Sequence, residues 1–115
     1  MKLYSWNVNG IRAVLNKGML QKFIEEHDPD ILCLQETKAE RGQFEIDFPQ
    51  YEEHFFSAVK KGYSGTAIFS KTPALQYIDG FPQDIIDEHE VTGDTYGDPN
   101  AEGRVIAAEF ADYWV

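Results

Sequence analysis

The chain has 115 residues, of which 43% are hydrophobic and 14% are aromatic. This length allows one domain at most, and the aromatic content is higher than a disordered chain would carry. No uninterrupted apolar run is long enough to span a membrane, and the N-terminus enters a strand pattern directly, without the apolar core of a signal peptide. From these features we expect a cytoplasmic protein that neither spans a membrane nor is secreted.

The formal net charge is −10, which taken alone argues against a nucleic-acid partner. The charge is unevenly distributed, however. Between Thr72 and Gly103 there are eight acidic residues and no Lys or Arg, whereas the rest of the chain has ten basic residues and twelve acidic ones. We therefore interpret residues 72–103 as a solvated acidic loop, and the remaining chain is close enough to neutral to bind DNA.

The first third of the chain predicts a strand, a helix and a second strand. Residues 3–8 alternate and are rich in Tyr, Trp and Val, which is typical of a strand, and Asn9-Gly10 is a turn signal. Apolar residues recur at helical spacing over residues 14–26, and Pro29 prevents the helix from continuing. Residues 31–34 form a short apolar run, as expected of a strand buried on both faces. This order predicts a βαβ unit and an α/β fold.

The remaining residues predict further strands. Residues 51–59 and 66–70 have strand patterns and are joined by a basic, glycine-flanked hairpin loop at 60–65. Residues 80–100 are mostly loop, and residues 104–110 are a further strand. The β-prone run at 113–115 stops as it begins, which predicts that the chain is cut at the start of a strand. The single cysteine, Cys33, lies in an apolar run and is expected to be a buried structural thiol in a reducing compartment.

Polar residues follow both strands of the predicted βαβ unit. Asn7 and Asn9 come from the first strand and Glu36 from the second, and ligand sites in open α/β sheets form outside such strand ends. Magnesium prefers one or two carboxylates together with waters and phosphates, which makes Glu36 the strongest candidate. The alternative for Glu36 is a solvated strand-end carboxylate or a helix-cap partner.

Asn7 and Asn9 lie two residues apart and would share one face of an extended segment. An Asn side chain can donate to a phosphate oxygen and accept from a catalytic group. The alternative is turn chemistry, especially for Asn9, because Asn-Gly is a favoured turn pair.

Four basic residues are candidates for phosphate contacts: Arg12, Lys38, Lys60 and Lys61. Tyr63, in the loop 60–65, could enter a groove or stack on a base or sugar. The alternative for each lysine is an ordinary solvated side chain. His27, His54 and His89 are interpreted as surface or core residues, since none lies in a metal-ligand or general-base pattern.

Four segments of the chain together resemble the exonuclease III/apurinic endonuclease family: residues 5–13 (Ser-Trp-Asn-Val-Asn-Gly-Ile-Arg-Ala), 34–38 (Leu-Gln-Glu-Thr-Lys), 62–67 (Gly-Tyr-Ser-Gly-Thr-Ala) and 102–106 (Glu-Gly-Arg-Val-Ile). The resemblance covers essentially the whole chain. It implies two packed β-sheets flanked by helices, with residues 1–115 as the N-terminal portion of a single nuclease domain. It also implies hydrolysis of DNA 5′ to abasic sites and 3′-to-5′ exonuclease activity, supported by Mg²⁺ or Mn²⁺.

The resemblance also implies roles for individual residues. Glu36 would be a metal ligand, and Asn7 would hold the catalytic groups and the phosphate. Metal binding is implied for Asn9 as well, although some members carry Asp at this position. The residues implied to contact double-stranded DNA, at abasic sites or 3′ ends, are Arg12, Ala13, Lys38, Gly62 and Tyr63.

The chain departs from the family in what it lacks. Members continue with a Tyr-x-Pro-Asn segment, an Asp-x-Asn pair and a C-terminal Asp-His pair, none of which is present here. We therefore expect the chain alone to be inactive. Two other readings stay open: a related enzyme acting on another phosphoester, or a non-enzymatic module that binds DNA or a partner. Because half of the sandwich would be missing, sheet edges and apolar faces would be uncovered in this chain, which favours self-association.

Overall fold

The computed structural model describes residues 1–46, 48–60, 62–80, 103 and 106–115. The described strands are Leu3–Asn7 (β1), Ile31–Gln35 (β2), Glu52–Phe56 (β3), Thr66–Ser70 (β4), Gln76–Asp79 (β5) and Ile106–Glu109 (β6). The described helices are Ile11–Asn16 (α1), Met19–His27 (α2) and a short 3₁₀ helix at Arg41–Gln43. The predicted acidic loop lies largely outside the described residues, as do Lys61, His89 and residues 104–105.

Four strands form the first sheet, in the order β1-β2-β4-β3. β1 runs parallel to β2, with Leu3 opposite Ile31 and Asn7 opposite Gln35, which confirms the predicted βαβ unit. β4 is antiparallel to both β2 and β3, so the predicted hairpin is also confirmed. Because β1 and β2 are parallel and in register, their carboxyl ends lie side by side at one end of the sheet.

The prediction of one continuous helix over residues 14–26 is wrong. The chain forms two helices instead, and they are separated at Lys17 and Gly18. Gly18 has φ 72° in the left-handed region, a conformation that ends a helix and that glycine adopts without a steric penalty. The apolar spacing survives the break because Leu20 and Ile24 of α2 still face the core. The pattern therefore predicted the buried face correctly but missed the change of direction.

Alternate residues of β2 and β4 build two cores, one on each face of the first sheet. Leu32, Leu34 and Phe69 pack with the helices on one face, where Ile11 and Leu20 are completely buried. Ile31 and Ile68 point to the other face, where they pack with Ala108 of β6 and with Phe110, the residue that follows β6. Burying one such side chain stabilises the fold by roughly 1.5–3 kcal/mol. The sheet is thus covered on both faces, as the apolar run of β2 predicted.

The second sheet consists of β5 and β6, paired antiparallel. β5 was not predicted, because its four residues, Gln-Tyr-Ile-Asp, are too few for alternation to stand out. After β6 the chain turns, and Val115 exchanges two backbone hydrogen bonds with Ala108, of 2.8 and 2.9 Å. The predicted β-prone run at the end of the chain does pair as a strand would. Two sheets with helices on one flank confirm the predicted fold class.

Cys33 lies half-buried in β2, on the face that meets the second sheet. Burial raises the pKa of its thiol above the ordinary value, so the neutral form is favoured. This agrees with the prediction of a structural rather than a reactive thiol. Within the described ranges, no helix combines the length and the apolar character that crossing a membrane requires.

Candidate active site

The candidate site lies where β1 and β2 end. The backbone pairing of the two strands continues past their ends: Val8 N donates to Gln35 O (3.0 Å), and Gly10 N donates to Glu36 O (2.7 Å). These bonds hold the segment after β1 against the segment after β2. The side chains of Asn7 and Glu36 are brought together as a result, as the shared strand ends predicted.

The Asn7 side-chain amide hydrogen-bonds both to Glu36 and to the turn that contains Asn9. Its Nδ2 donates a hydrogen bond to Glu36 Oε2, and its Oδ1 accepts one from the backbone N of Asn9 at 3.1 Å. The Glu36 side chain is 39% exposed, so its carboxylate is held from one side and open to solvent on the other. Such a carboxylate is oriented and still accessible to a ligand.

Lys38 lies on the other side of Glu36. Its Nζ donates to Asn9 Oδ1 at 2.5 Å and is 3.8 Å from Glu36 Oε1. The Asn9 side chain therefore points to the Lys38 cation and does not lie on the same face as the Asn7 side chain. The prediction that Asn7 and Asn9 share one face of an extended segment is wrong, because the strand ends at Asn7 and Asn9 turns with φ 46°.

The oxygen atoms in this cluster fit a divalent metal that also binds substrate. Glu36 supplies an accessible carboxylate and Asn9 an amide oxygen, and both already lie within reach of the Lys38 cation. Mg²⁺ commonly takes one or two protein carboxylates and completes its shell with waters and phosphate oxygens. No group of three or more His, Cys, Asp or Glu that could enclose a metal occurs among the residues whose placement is described. The donor set thus suits an open catalytic site better than a closed structural one.

Backbone strain is concentrated at the same end of the sheet. The described chain has five non-glycine residues with positive φ, and four of them belong to this region: Asn9 (46°), Glu36 (53°), Lys38 (55°) and Ser64 (48°). Such conformations cost of the order of 1 kcal/mol or more each and persist where the surrounding structure imposes them. Their clustering makes this end of the sheet the candidate functional site.

The loop that carries Gly62 and Tyr63 adjoins the cluster. The backbone N of Lys38 donates to Ser64 O at 2.8 Å, which fixes the loop beside the residues after β2. Tyr63 is 37% exposed, and Lys60 Nζ lies 5.4 Å from the centre of its ring, a cation–π distance. An exposed aromatic ring and a cation therefore border the site, as the loop composition predicted.

Arg12 and Ala13 are exposed on the first turn of α1. The preceding residue, Ile11, donates its backbone N to Thr37 O at 2.8 Å, so α1 begins beside the site. Arg12 borders a groove of about 330 Å³ whose other lining residues are Leu15, Asn16, Gln21, Gln43, Phe44 and Glu45. All eight predicted site residues thus belong to three segments that are hydrogen-bonded to one another.

Sequence reasoning missed a second polar cluster, which links the two sheets. His54 Nε2 and Asp79 Oδ1 are 2.6 Å apart, and the His54 ring stacks on Tyr77 with centroids 4.0 Å apart. The Tyr77 hydroxyl donates to Glu52 Oε2 at 2.6 Å. No sequence signal indicated this cluster, because β5 was itself not recognised. This cluster ties β3 to β5.

Comparison with known proteins agrees with this geometry. The chain matches the model of the Endonuclease/Exonuclease/phosphatase family over residues 4–114. It is 46% identical to an exodeoxyribonuclease of Bacillus subtilis over 115 residues, which are all of this chain and 40% of that protein. The chain therefore spans about two fifths of this relative.

Two solved structures share the fold. A 3′ phosphatase from Neisseria bound to a product DNA hairpin superposes with a TM-score of 0.71 and 26% identity, covering 99% of this chain and 39% of the other. An AP endonuclease from Archaeoglobus fulgidus gives a TM-score of 0.66 and 30% identity, covering 96% and 38% respectively.

The chain belongs to the endonuclease/exonuclease/phosphatase family. Its relatives within that family include exodeoxyribonucleases and AP endonucleases, which confirms the resemblance found in the sequence. Nucleases of this family generally depend on a divalent metal ion.

Proposed function

We propose that this chain is the amino-terminal part of a DNA-repair nuclease that hydrolyses the phosphodiester 5′ to abasic sites and degrades DNA from 3′ ends. The observation that carries the proposal is the pairing of Asn7 with Glu36 at the adjoining ends of two parallel strands. An oriented carboxylate with one open side is what a phosphodiesterase needs to hold a metal against a substrate phosphate. The exodeoxyribonuclease and AP endonuclease relatives support the same reaction class.

The metal in this proposal is Mg²⁺ or Mn²⁺, with Glu36 as its carboxylate ligand and Asn9 as a further oxygen donor. When bound, such an ion would supply charge stabilisation for the phosphate and the leaving oxygen. The residues of this chain prepare that site. Asn7 fixes the rotamer of Glu36 through its Nδ2, and Lys38 keeps a positive charge beside both oxygen donors. Lys38 would exchange its partners for a phosphate when DNA binds.

Five residues would form the contact surface for double-stranded DNA: Arg12, Ala13, Lys38, Gly62 and Tyr63. Arg12 and Lys38 bring positive charge to phosphates, and Ala13 and Gly62 are small enough for close approach of the backbone. Tyr63 offers an exposed aromatic face for a sugar or an unpaired base. The DNA-bound Neisseria structure shows that this fold presents a DNA surface in one relative.

We further propose that the 115-residue chain does not cleave DNA by itself. Glu36 and Asn7 can orient a metal, but hydrolysis also requires an activated water and a stabilised leaving group. The described histidines make their contacts elsewhere, since His27 packs against Tyr4 and Phe23, and His54 contacts Asp79 of β5.

A cleavage assay tests both proposals. A duplex with one abasic site would be incubated with Mg²⁺ and either this chain or the longer protein that contains it. We expect EDTA-sensitive incision by the longer protein alone. Incision by the 115-residue chain would contradict its inactivity. Cleavage of inositol phosphates but not of abasic DNA by the longer protein would contradict the proposed substrate.

Self-association through β1 is a separate proposal. Among the described strands, β1 lies at an edge of the first sheet, and Leu3 on it is 57% exposed. An open strand edge with an apolar side chain favours pairing between chains. We expect light scattering of the 115-residue chain to show a mass that rises with concentration, and a monomer at all concentrations would contradict this.

A further inference from the structure

Thr37 connects all three segments that carry the candidate site. Its backbone O accepts a hydrogen bond from Ile11 N at 2.8 Å, and its backbone N donates to Gly65 O at 3.1 Å. On one side it therefore holds the start of α1, which carries Arg12, and on the other the loop that carries Tyr63. Thr37 follows Glu36 directly, so any shift of Thr37 moves the proposed metal ligand.

The Thr37 side chain is buried and sterically engaged. Thr37 is only 1% exposed, and its hydroxyl has no hydrogen-bond partner among the residues that the structure describes. A buried hydroxyl without a partner is unfavourable, so hydrogen bonding does not explain the residue. The side chain lies against Gly65, where an added Cβ would collide with Thr37 Oγ1. The other neighbours of that Cβ, Lys38 N and Thr37 Cβ, would be at an ordinary 3.7 Å.

We propose that Thr37 is a positioning residue whose side chain acts as a spacer between Glu36 and the Gly62–Gly65 loop. The spacer sets the distance between the proposed metal ligand and the proposed DNA contacts on the loop, so the inference rests on the function proposed above. Its shape, not its hydroxyl chemistry, carries the role. Substitutions that widen or close this contact should therefore weaken the binding of both metal and DNA. This effect should exceed the one that partial unfolding of the protein would cause.

The contact can be broken and restored by paired substitutions. Gly65→Ala introduces the collision with Thr37 Oγ1, whereas Thr37→Ala removes the colliding atom. In the double variant the two Cβ atoms would meet at an ordinary distance, so part of the defect should be recovered. Thr37→Val keeps the shape without the hydroxyl and should behave like the wild type.

Gly18→Ala is the matched control. Gly18 has φ 72° and Gly65 has φ 87°, so both substitutions place alanine in a left-handed conformation. At Gly18 an added Cβ meets no atom within 4 Å, and the residue lies between α1 and α2 rather than in the loop that contacts Thr37. Backbone strain alone would therefore affect both variants alike, and only Gly65→Ala adds the collision.

Steady-state kinetics on abasic duplex DNA, with the longer protein that contains this chain, would test the proposal. We expect Gly65→Ala to raise both the KM for DNA and the Mn²⁺ concentration for half-maximal rate by roughly tenfold, and the double variant to regain at least threefold. Partial unfolding lowers kcat alone, so it does not produce this result. Two results would overturn the proposal. In the first, the loss of activity in the double variant equals the product of the losses in the two single variants. In the second, Thr37→Val loses as much activity as Thr37→Ala.

Amide hydrogen exchange gives a readout that does not depend on catalysis. The Thr37 and Lys38 amides donate to Gly65 and Ser64. We expect them to exchange about tenfold faster in Gly65→Ala and to recover in the double variant. Unchanged exchange would overturn the spacer role even if the wild type cleaves DNA. Recovery of exchange in a protein that does not cleave DNA would instead contradict the proposed function.

Discussion

The two ends of the first sheet carry similar residue types but organise them differently. At the end opposite the site, Asp28 and Asp30 each have a close partner, a lysine in one case and a backbone N–H group in the other. Lys71 Nζ lies 2.7 Å from Asp28 Oδ1, and the backbone N of Lys2 donates to Asp30 Oδ2 at 2.7 Å. At the site end, the Glu36 carboxylate is held by the neutral Asn7 amide, and the nearest cation is 3.8 Å away.

This difference separates a closed polar cluster from an open one. At the opposite end the Asp28 carboxylate is neutralised by a lysine 2.7 Å away, so a further cation would gain little there. At the site end Glu36 is oriented but only loosely paired, which leaves it able to bind a cation. Residue types alone do not distinguish the two ends; the identity and distance of each partner do.

The largest expected effect comes from Glu36→Gln. Loss of the only strand-end carboxylate in the proposed metal site should lower kcat/KM for abasic DNA about 100-fold or more in the longer protein. The control is Glu26→Gln on α2, whose carboxylate makes only an exposed pair with Lys22 at 3.9 Å. If Glu36→Gln and Glu26→Gln were equally active, Glu36 would not be a metal ligand.

Asn7→Ala should have the next largest effect. It removes the hydrogen bond that orients Glu36 and the one that holds the Asn9 turn, so we expect a loss of about 10- to 100-fold in kcat/KM. Gln76→Ala is a matched control, because Gln76 makes the same type of amide–carboxylate bond, to Glu109 at 2.5 Å, in the second sheet. Equal losses in the two variants would show that the effect arises from stability.

Tyr77→Phe should affect stability without affecting the site. It removes the 2.6 Å hydrogen bond to Glu52, at the opposite end of the sheet, and should lower the free energy of unfolding by about 1 kcal/mol. Urea unfolding would measure the change. A loss of catalytic efficiency at equal stability would contradict the separation of the two ends.

The smallest effect is expected from Lys71→Met, and it should depend on pH. A hydrogen bond from Lys71, helped by its charge, holds the pKa of Asp28 below the ordinary value. A carboxyl with a lowered pKa in the folded state stabilises the fold above its unfolded pKa and loses that contribution as the pH falls through the folded pKa. Lys71→Met should therefore be less stable than the wild type at neutral pH, and the two should converge in acid. A difference that stays constant from pH 7 to pH 2 would contradict this.

Much of the site could be predicted because it depends on the order of apolar and polar residues over short stretches of the sequence. The apolar run of β2 and the turn after β1 indicated where polar residues would meet, and a parallel pair places such residues together. The break at Gly18 was missed because the apolar periodicity continues across it. The direction of Asn9 depends on a hydrogen bond from Lys38, and the spacer role of Thr37 depends on a steric contact with Gly65. Both partners are distant in the sequence, so no local pattern contains these contacts.

The central claim is that Glu36 and its neighbours at one end of the sheet bind a divalent metal and that the opposite end does not. Titrating ¹⁵N-labelled protein with Mn²⁺ tests this most directly, because the ion broadens the NMR signals of nearby amides even when it binds weakly. We predict early broadening of the Asn7, Glu36 and Thr37 amides while those of Asp28 and Lys71 stay sharp. Broadening that begins at Asp28 and Lys71, or that affects both ends equally, would contradict the account.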